Sequence, residues 1–533
     1  MAQGTDISEA GLITIMRASV FSLNGRCTGD VQSLVRNKLV SALGSSNHWS
    51  CSENNSNNSW NINFSDGNFN NNNKNNSNVV RAVAALGEED RLAWLEAYED
   101  CCRHKLTSPQ CAEYRAHFEE DLFRLALEVK NRTYKPSTST CFIVTRPKIR
   151  EVFAANFRDR IVHHWICLRL EPLFEARFHS QGDVSLNCRK GFGTLAAIKK
   201  LKAEMERVSE NYTRDAWVSK FDLKSFFMSI DREVLLSLLV GFIKKYYQGN
   251  DSDTLLYLVG IVVRHNPQGD CEKRSPDRLW DELPPDKSLF HSVGKGMPIG
   301  NLPSQLFANF YLSFMDHFIL ERCDKVDAGY LRFVDDFVIV ARDKKWTMDL
   351  YREIKNWLET RLHLTLHPDK VYLQHITKGV KFVGTVVKPL RNYTSNRTLG
   401  GMVNRIHEAD RLCAVIEESG VTYSRLAKLE KTVDGINSYF GFCVHTQSYT
   451  IRRNMFRKMF HFWRFCYISG HYCIVKIRKE YRIRDYLLKK EVLYVKEFYR
   501  GRKAARSREE NNSGKTGVHY QIRGSGRRRT RRM

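Results

Sequence analysis

The most informative segment for the fold is Tyr330-Leu-Arg-Phe-Val-Asp335-Asp336-Phe-Val-Ile-Val340. In it, two adjacent carboxylates separate two apolar runs. Short apolar runs rich in Val, Ile and aromatic side chains are typical of β-strands. We therefore predict a β-hairpin with Asp335 and Asp336 at its tip. Clustered negative charge at such a tip is costly unless a cation neutralises it.

A second acid follows another predicted strand. Trp217-Val-Ser-Lys-Phe221 delivers Asp222 into a turn and a helix. Hard divalent ions prefer carboxylate oxygens, and a two-metal site takes its ligands from separate chain segments. Asp222 and Asp335 would supply such a pair. The alternative is structural, because aspartates at strand ends commonly cap helices or stabilise turns.

The overall charge points to a polyanionic partner. The 533 residues include 84 Lys and Arg against 59 Asp and Glu, which leaves a net charge of +25. Such an excess favours nucleic acid over a membrane surface as the partner. We find neither a long apolar run nor a signal-like N-terminus, so we expect no membrane contact and no secretion. The 14 Cys show no metal-like spacing and are expected to be free thiols in a reducing cytoplasm.

Composition also divides the chain. Residues 47–78 hold 15 Asn in 32 positions, which predicts a disordered or loop-like segment within residues 45–83. Helical periodicity begins near residue 88, residues 140–390 alternate strand-like and helical runs, and residues 400–500 are helical. In residues 501–533, 11 of 33 residues are Lys or Arg, so this tail is expected to stay disordered until it meets phosphate.

The order of motifs resembles the palm of reverse transcriptases, most specifically those of diversity-generating retroelements, which are related to retron and group II intron enzymes. The resemblance covers roughly residues 88–470. Its blocks lie at residues 146–150, 158–162 and 189–194 (fingers), 221–227 (motif A), 296–309 (motif B), 333–336 (the xxDD signature), 362–370 (motif D) and 381–384 (primer grip).

The resemblance implies an α+β fold shaped like a right hand. Fingers would span residues 87–215, a catalytic palm with an RRM-like antiparallel sheet residues 216–390, and a helical thumb residues 391–500. Disordered extensions would flank these domains at residues 1–86 and 501–533.

The resemblance also implies site residues. Asp222, Asp335 and Asp336 would be catalytic, with Lys370 as general acid, and two Mg²⁺ ions (Mn²⁺ as substitute) would be held by these acids and Leu223. The implied nucleotide-binding residues are Lys148, Arg150, Phe227, Ile299, Gly300, Ser304 and Gln305. The implied primer and template contacts are Arg158, Arg160, Arg189, Lys190, Phe382 and Gly384.

Motif B departs from the commoner pattern. Most reverse transcriptases have Gln-Gly…Ser-Pro there, whereas this chain has Ile299-Gly300…Ser304-Gln305, the form of the diversity-generating group. Ile299 would then lie beside the templating base, where it offers shape but no hydrogen bond. The alternative is that Ile299 only packs under its loop.

The Asn-rich segment resembles the variable end of the lectin-like proteins that such retroelements diversify. Because Asn codons are rich in adenine, we interpret the segment as an in-frame template repeat. A low-complexity linker, or a start codon assigned too far upstream, is the alternative. The resemblance implies template RNA, cDNA, dNTPs and a small basic oligomeric accessory protein as partners, in the cytoplasm of a bacterium or as a phage product.

Other functions stay open at this stage. An antiviral or retron-like reverse transcriptase would share the enzyme chemistry, and a catalytically dead RNA-binding scaffold would share only the fold. A group II intron maturase fits less well, because we find no Cys/His nuclease module after the thumb.

Overall fold

One antiparallel sheet contains four strands, which are Trp217–Asp222 (β6), Gly329–Phe333 (β8), Asp336–Ala341 (β9) and Tyr372–His375 (β10). Their order across the sheet is β10-β6-β9-β8. Apart from its first residue β9 is buried throughout, as its uninterrupted apolar run predicts. The predicted hairpin is confirmed, because β8 and β9 pair directly and leave only residues 334 and 335 as the turn.

The computed structural model describes residues 86–488, with the exception of residues 104, 107, 147 and 293. It also describes the backbone of three earlier strands. The chain divides after Ile376 into two compact units. The predicted border between palm and thumb lay later, at residue 390. Within the described residues, no helix combines the length and the apolar character needed to cross a membrane.

Helices make up most of the first unit, so the predicted mixture of helix and sheet is confirmed. They are α1 (Glu88–Cys102), α2 (Pro109–Ala116), α3 (Phe118–Lys130), α4 (Phe157–Ser180), α5 (Thr194–Val208), α6 (Phe226–Ser229), α7 (Arg232–Tyr246), α8 (Ser252–Arg264), α9 (Asp277–Asp281), α10 (Leu302–Cys323) and α11 (Lys344–Arg361).

Helix α10 forms the centre of the helical packing. It is apolar around most of its circumference, which is typical of a helix buried on all sides. Phe310 of α10 stacks on Phe174 of α4 with ring centroids 4.4 Å apart. Helices α5, α10 and α11 pack against the hairpin strands β8 and β9. The sheet edge that carries the acids is therefore supported by a rigid core.

A smaller sheet lies earlier in the first unit. It contains β4 (Ser139–Val144), β5 (Arg150–Ala154) and β7 (Cys271–Lys273), with β4 in the centre. β4 and β5 form an antiparallel hairpin, whereas β7 pairs with β4 in parallel. The backbone N–H of Phe153 in β5 donates to the carbonyl of Ile299, 2.7 Å away. This bond attaches the loop before α10 to the small sheet.

The prediction of a loop-like Asn-rich segment is wrong for three stretches. Residues Asn47–Glu53 (β1), Asn58–Asn63 (β2) and Asn68–Asn73 (β3) form a three-stranded antiparallel sheet. In β2, Trp and Ile alternate with polar residues, and this period of two favours strands. The high Asn content predicts a loop, and it was given more weight than this alternation. The rest of the predicted N-terminal extension lies outside the described residues.

The second unit contains both helices and strands. Its helices are α12 (Asn396–Ser419), α13 (Tyr423–Cys443), α14 (Tyr449–Met455) and α15 (Phe462–Phe465). Its strands are β11 (Val380–Phe382), β12 (Thr385–Val387), β13 (Asn392–Thr394), β14 (Cys466–Ser469) and β15 (Ile474–Ile477). The hairpin of β14 and β15 corrects the prediction of an all-helical stretch, because short apolar runs do not distinguish helix from strand. The basic tail at residues 501–533 lies outside the described residues.

Candidate functional site

Strand pairing brings the predicted acids together. Asp222 ends β6 and Asp336 begins β9, and the two residues are direct partners in the antiparallel ladder. The α-carbons of such partners lie roughly 4.5–5.5 Å apart. Asp335 precedes Asp336 in the turn of the β8–β9 hairpin. Residues far apart in the chain therefore place three carboxylates at one edge of the sheet.

The turn that carries Asp335 has an unusual backbone. Val334 has a φ of +58°, in the left-handed region. A β-branched residue rarely adopts this conformation, and the cost is on the order of 1–3 kcal/mol. The surrounding structure must therefore hold this turn in place.

The three carboxylates perturb one another. Burial, followed by the charges of Asp222 and Asp336, raises the pKa of Asp335 to about 6, while Arg150 acts in the opposite direction. Burial also raises the pKa of Asp336, although the Lys220 ammonium lowers it. A site with this excess of buried negative charge has a strong electrostatic preference for cations.

Two lysines already serve the site as counterions. Lys220 Nζ lies 2.9 Å from Asp336 Oδ2, and Lys370 Nζ pairs with the Asp222 carboxylate. Lys370 reaches the site because its segment runs beside Asp222, where the N–H of His367 donates to the Asp222 carbonyl at 2.8 Å. The sequence-predicted Lys370 is thus brought to the acids. Lys220 was missed, although its position two residues before Asp222 places both on one strand face.

The donor set suits a hard divalent cation. Carboxylate oxygens are the ligands that Mg²⁺ and Mn²⁺ prefer, and the mutual repulsion of the acids would be relieved by such an ion. The described residues nevertheless contain no group of three or more His, Cys, Asp or Glu arranged to hold a metal. Leu223 is buried, and it forms an isolated bridge with Leu366.

The loop before α10 shows why two glycines are needed. Gly296 and Gly300 have φ values of +85° and +118°. A Cβ on Gly300 would lie 2.5 Å from the carbonyl oxygen of Phe153, so only glycine allows the loop to approach β5 this closely. The side chain of Ile299, one residue before Gly300, is partly buried and packs against a small apolar cluster that includes Phe153 and Leu289. This contact is expected if Ile299 only packs under its loop.

A pocket adjoins the turn that carries Asp335. It has about 220 Å³ of space and is open to solvent. Its lining residues are Asn187, Cys188, Phe226, Phe227, Gln305, Ala308, Asn309, Arg332 and Val334. The structure therefore brings the predicted nucleotide residues Phe227 and Gln305 together beside the turn. Ser304, in contrast, is buried in the first turn of α10.

The predicted phosphate ligands differ in their placement. Arg150 begins β5, is exposed, and lies close enough to Asp335 for its charge to lower the pKa of that carboxyl. Lys148 is exposed in the preceding connection. Arg150 is thus placed at the acid site, whereas the role of Lys148 stays a prediction.

One predicted primer and template residue in the fingers, Arg189, requires a correction. The Arg189 side chain is wholly buried and pairs with Glu175 and Asp183, so its guanidinium cannot reach a nucleic acid. Arg189 therefore stabilises the fold. Arg160 is partly buried and donates to the carbonyl of Ala155 and to Gln110, and its contact with a nucleic acid stays a prediction.

The remaining fingers residues are more accessible. Arg158 pairs with Glu128 and also lies over the ring of Tyr134. Lys190 is exposed and pairs with Glu171 at 2.9 Å. Surface pairs of this kind contribute little stability and can exchange for a phosphate, so both assignments stay predictions.

Phe382 and Gly384 lie in the second unit. Phe382 ends β11 and is wholly buried, and Gly384 follows in the turn to β12 with a φ of +85°. This places a tight hairpin where the primer grip was predicted. Its contact with a primer stays a prediction.

A buried ion pair beneath the turn of the β8–β9 hairpin was not predicted from the sequence. Arg332 in β8 and Asp316 in α10 are both 0% exposed, and Arg332 donates to both carboxylate oxygens of Asp316 at 2.7 and 2.6 Å. The available signal was Arg332 itself, a charged residue inside an otherwise apolar strand. Such a residue is buried only when it is paired.

Comparison with known proteins identifies the domain that contains this site. Residues 135–387 match the family described as "Reverse transcriptase (RNA-dependent DNA polymerase)". The chain therefore contains a reverse transcriptase domain, and all three acids lie within it. The matched range also includes Lys370, Arg150 and the loop before α10.

The chain is also similar to several curated proteins. The chain is 25% identical over 270 residues to Protein YkfC of Escherichia coli, covering 44% of this chain and 62% of the relative. It is 20% identical over 355 residues to the group II intron-encoded protein LtrA of Lactococcus lactis, covering 54% of each. Nuclear intron maturase 1 of Arabidopsis thaliana is 22% identical, with 48% and 44% covered. The chain thus spans about half the length of the relatives it matches.

Solved structures of telomerase are also similar. Apo telomerase from Candida tropicalis aligns with a TM-score of 0.38 and 12% identity over 66% of this chain and 62% of that one. Telomerase from the same organism in complex with a telomeric RNA fragment gives a TM-score of 0.36 and 11% identity over 60% and 55%.

Proposed function

We propose that this protein is an RNA-directed DNA polymerase that extends a primer on an RNA template with dNTPs. The observation that carries the proposal is the convergence of Asp222, Asp335 and Asp336 on one sheet edge inside a reverse transcriptase domain. Nucleotidyl transfer needs positioned cations and little other covalent chemistry from the protein. A clustered acid site on rigid strands meets this need.

The acids would hold two Mg²⁺ ions, which Mn²⁺ could replace. Asp222 and Asp335 would be the main ligands of these ions, with Asp336 and the Leu223 carbonyl in support. When bound, the ions would activate the primer 3′-OH and neutralise the triphosphate.

Other residues of the site have separate tasks. Lys370, which pairs with Asp222, would release that carboxylate to a cation and would donate a proton to departing pyrophosphate. Lys220 pairs with Asp336 and opposes the effect of burial, which raises the pKa of that carboxyl. The exposed Arg150 would bind the triphosphate through its planar guanidinium.

The pocket beside the turn would receive the incoming nucleotide. Phe227 forms part of its wall, where an aromatic ring excludes a ribose 2′-OH by occupying its space. Gln305 adds an exposed amide that can hydrogen-bond a base or sugar. Together they would select deoxyribonucleotides.

We further propose that the enzyme belongs to a diversity-generating retroelement and makes cDNA with errors at template adenines. The support is the Ile299-Gly300…Ser304-Gln305 form of motif B and the Asn-rich segment before the domain. This proposal includes a small basic accessory protein and a bacterial or phage setting in the cytoplasm. A retron-like or antiviral reverse transcriptase is the second candidate, with the same chemistry but without the adenine bias.

Primer extension tests the activity. The full chain is incubated with a defined RNA template, a DNA primer, dNTPs and Mg²⁺, and is compared with Asp335→Asn. Asp349→Asn is the matched control, because Asp349 is about half exposed and pairs with Arg352, three residues away on the same helix, at 2.7 Å. We expect extension by the native and control proteins and none by Asp335→Asn. RNA binding without extension by the native protein would instead indicate a scaffold.

Sequencing of the cDNA separates the subtypes. An excess of substitutions opposite adenine over the other three bases supports the diversity-generating role. Equal error rates at all four bases would favour the retron-like alternative.

A further inference from the structure

The inference concerns the buried pair of Arg332 and Asp316, and it rests on the proposed function. Asp316 accepts three hydrogen bonds, two from Arg332 and one from Tyr330 Oη at 2.7 Å. All three side chains lie in the core, and Arg332 and Asp316 are completely buried. Buried ion pairs of this kind often add little stability compared with apolar residues of similar size. Their presence therefore calls for a role other than folding.

The remaining donors of Arg332 point to that role. Its Nη1 donates to the carbonyl oxygen of Val334 at 3.0 Å, and its Nη2 reaches the carbonyl of Asn309 at 3.4 Å. The Val334 carbonyl belongs to the peptide group that leads directly into Asp335. One guanidinium thus connects α10 to the peptide that carries the catalytic acid.

The same peptide is the strained part of the hairpin. Val334 occupies the left-handed region, which a β-branched residue disfavours. A hydrogen bond from a buried, fixed guanidinium stabilises the orientation of its carbonyl. Without this bond, Val334 would gain by relaxing to an ordinary conformation, and Asp335 would move with it.

The backbone of Arg332 is fixed as well. Its N–H donates to the carbonyl of Val184 at 2.8 Å, and its carbonyl accepts from the N–H of Leu186 at 3.0 Å. Both bonds come from the segment at residues 184–186, so the backbone of Arg332 is held along one edge of β8. Asp316 fixes the planar head because the two N–H···O bonds leave it no rotation.

We propose that Arg332, oriented by Asp316, is a positioning residue that holds the Val334 carbonyl and so sets the placement of Asp335. Its charge is neutralised by Asp316, so it acts on Asp335 through geometry and not through its field. Misplacement of a reacting group by about 1 Å can cost on the order of 100-fold in rate. A defect of this kind should appear in kcat more than in the KM for dNTP.

The test uses the double variant Arg332→Met/Asp316→Leu in the full chain. It replaces the ion pair by apolar groups of similar volume, which keeps the core filled and avoids an unpaired buried charge. Arg169→Gln is the control, since Arg169 forms a mostly buried pair with Asp251 and also donates to the carbonyl of Trp165. Thermal unfolding, kcat and KM for dNTP, and hydrogen exchange of residues 329–341 without nucleic acid are measured for each.

We expect the double variant to lose kcat on the order of 100-fold at a KM within about threefold of the native value. Its turn amides should exchange their hydrogens roughly tenfold faster or more. The Arg169→Gln control should match the native protein in kcat and in hydrogen exchange. Native kcat and native exchange in the folded double variant would overturn the proposal. If the native protein extends no primer, the proposed function fails, but the exchange measurement still decides whether Arg332 holds the turn.

A third substitution guards against misfolding of the double variant. Val334→Gly, added to Arg332→Met/Asp316→Leu, removes the strain because glycine adopts the left-handed region readily. We expect it to recover part of kcat, roughly tenfold, by letting the turn form without the guanidinium. No recovery in a protein with native thermal stability would show that Arg332 does not act through the Val334 peptide.

Discussion

Two hairpins in this protein enter their turns with the same Phe-Val pair, yet they are stabilised differently. The turn of the first unit has Phe333-Val334-Asp335-Asp336, and that of the second has Phe382-Val383-Gly384-Thr385. In each, the first and fourth residues pair across a two-residue connection, and the Val has a positive φ, +58° and +41°.

The difference that matters for the backbone lies at the third position. Gly384 has a positive φ, so both central residues of that turn are left-handed, as the favoured two-residue hairpin requires. Asp335 does not have a positive φ, and the Val334 carbonyl beside it accepts a hydrogen bond from the guanidinium of Arg332. Both turns contain a left-handed Val, but the second turn has a glycine beside it, whereas the first has an acid there and is supported by the core.

The largest expected effect comes from giving the first turn the residue of the second. Asp335→Gly should abolish primer extension, by at least roughly 10³-fold, because an essential carboxylate is lost. Thermal stability at pH 8 should stay at or above the native value, since the substitution removes buried charge repulsion. Steady-state extension and a thermal melt test this. A variant with a tenth of native activity would contradict the assignment of Asp335.

A second prediction concerns pH and the carboxylate cluster in the metal-free protein. Because the pKa of Asp335 rises from 3.8 to about 6 on folding, the folded state prefers the protonated acid. Its ionisation therefore costs stability progressively as pH rises from about 4 to 6, by on the order of 2–3 kcal/mol, and the penalty is constant above that range.

Thermal melts in chelator between pH 4.5 and 8 measure this penalty. Asp335→Asn should be more stable than the native protein at pH 8, and the difference should shrink toward pH 4.5. Added Mg²⁺ should stabilise the native protein more than the variant at pH 8. A stability difference that is independent of pH would contradict the raised pKa.

The reciprocal change in the second turn has a smaller and different effect. A Cβ on Gly384 would meet Thr398 Oγ1 at 3.2 Å and a ring carbon of Phe442 at 3.3 Å, and the φ of +85° disfavours any side chain. Gly384→Ala should therefore destabilise the second unit by about 1–2 kcal/mol. Chemical denaturation measures this, with Gly441→Ala as control, because a Cβ at that helical glycine meets nothing within 4 Å. Equal stability of both variants would show that this turn tolerates side chains.

The smallest expected effect concerns fidelity. Ile299→Gln would place an amide in a loop held against β5, and a single polar contact can change discrimination by about 1.4 kcal/mol, or tenfold. We expect misincorporation opposite template adenine to fall more than opposite other bases, measured by sequencing cDNA from one RNA. An unchanged adenine error rate would leave Ile299 only its packing against the apolar cluster.

The sequence indicated the strands that carry the acids well because strong alternation and long apolar runs are local features. The hairpin at residues 330–340 and the strand before Asp222 were both predicted from short windows. Errors came from segments where composition and pattern disagree, such as the Asn-rich strands and the β14–β15 hairpin. Arg189 was misassigned because a basic residue in a motif cannot be distinguished from a buried one without its partners.

Residue identity and spacing were enough to predict the acids, their attachment to apolar strands and the type of domain. Three other facts follow only from the folded chain: which carboxylates meet, which lysines neutralise them, and that Arg332 and Asp316 support the turn. These facts depend on strand register and on contacts between residues far apart in the chain. Both are set by the packing of the whole core, which no short stretch of sequence contains.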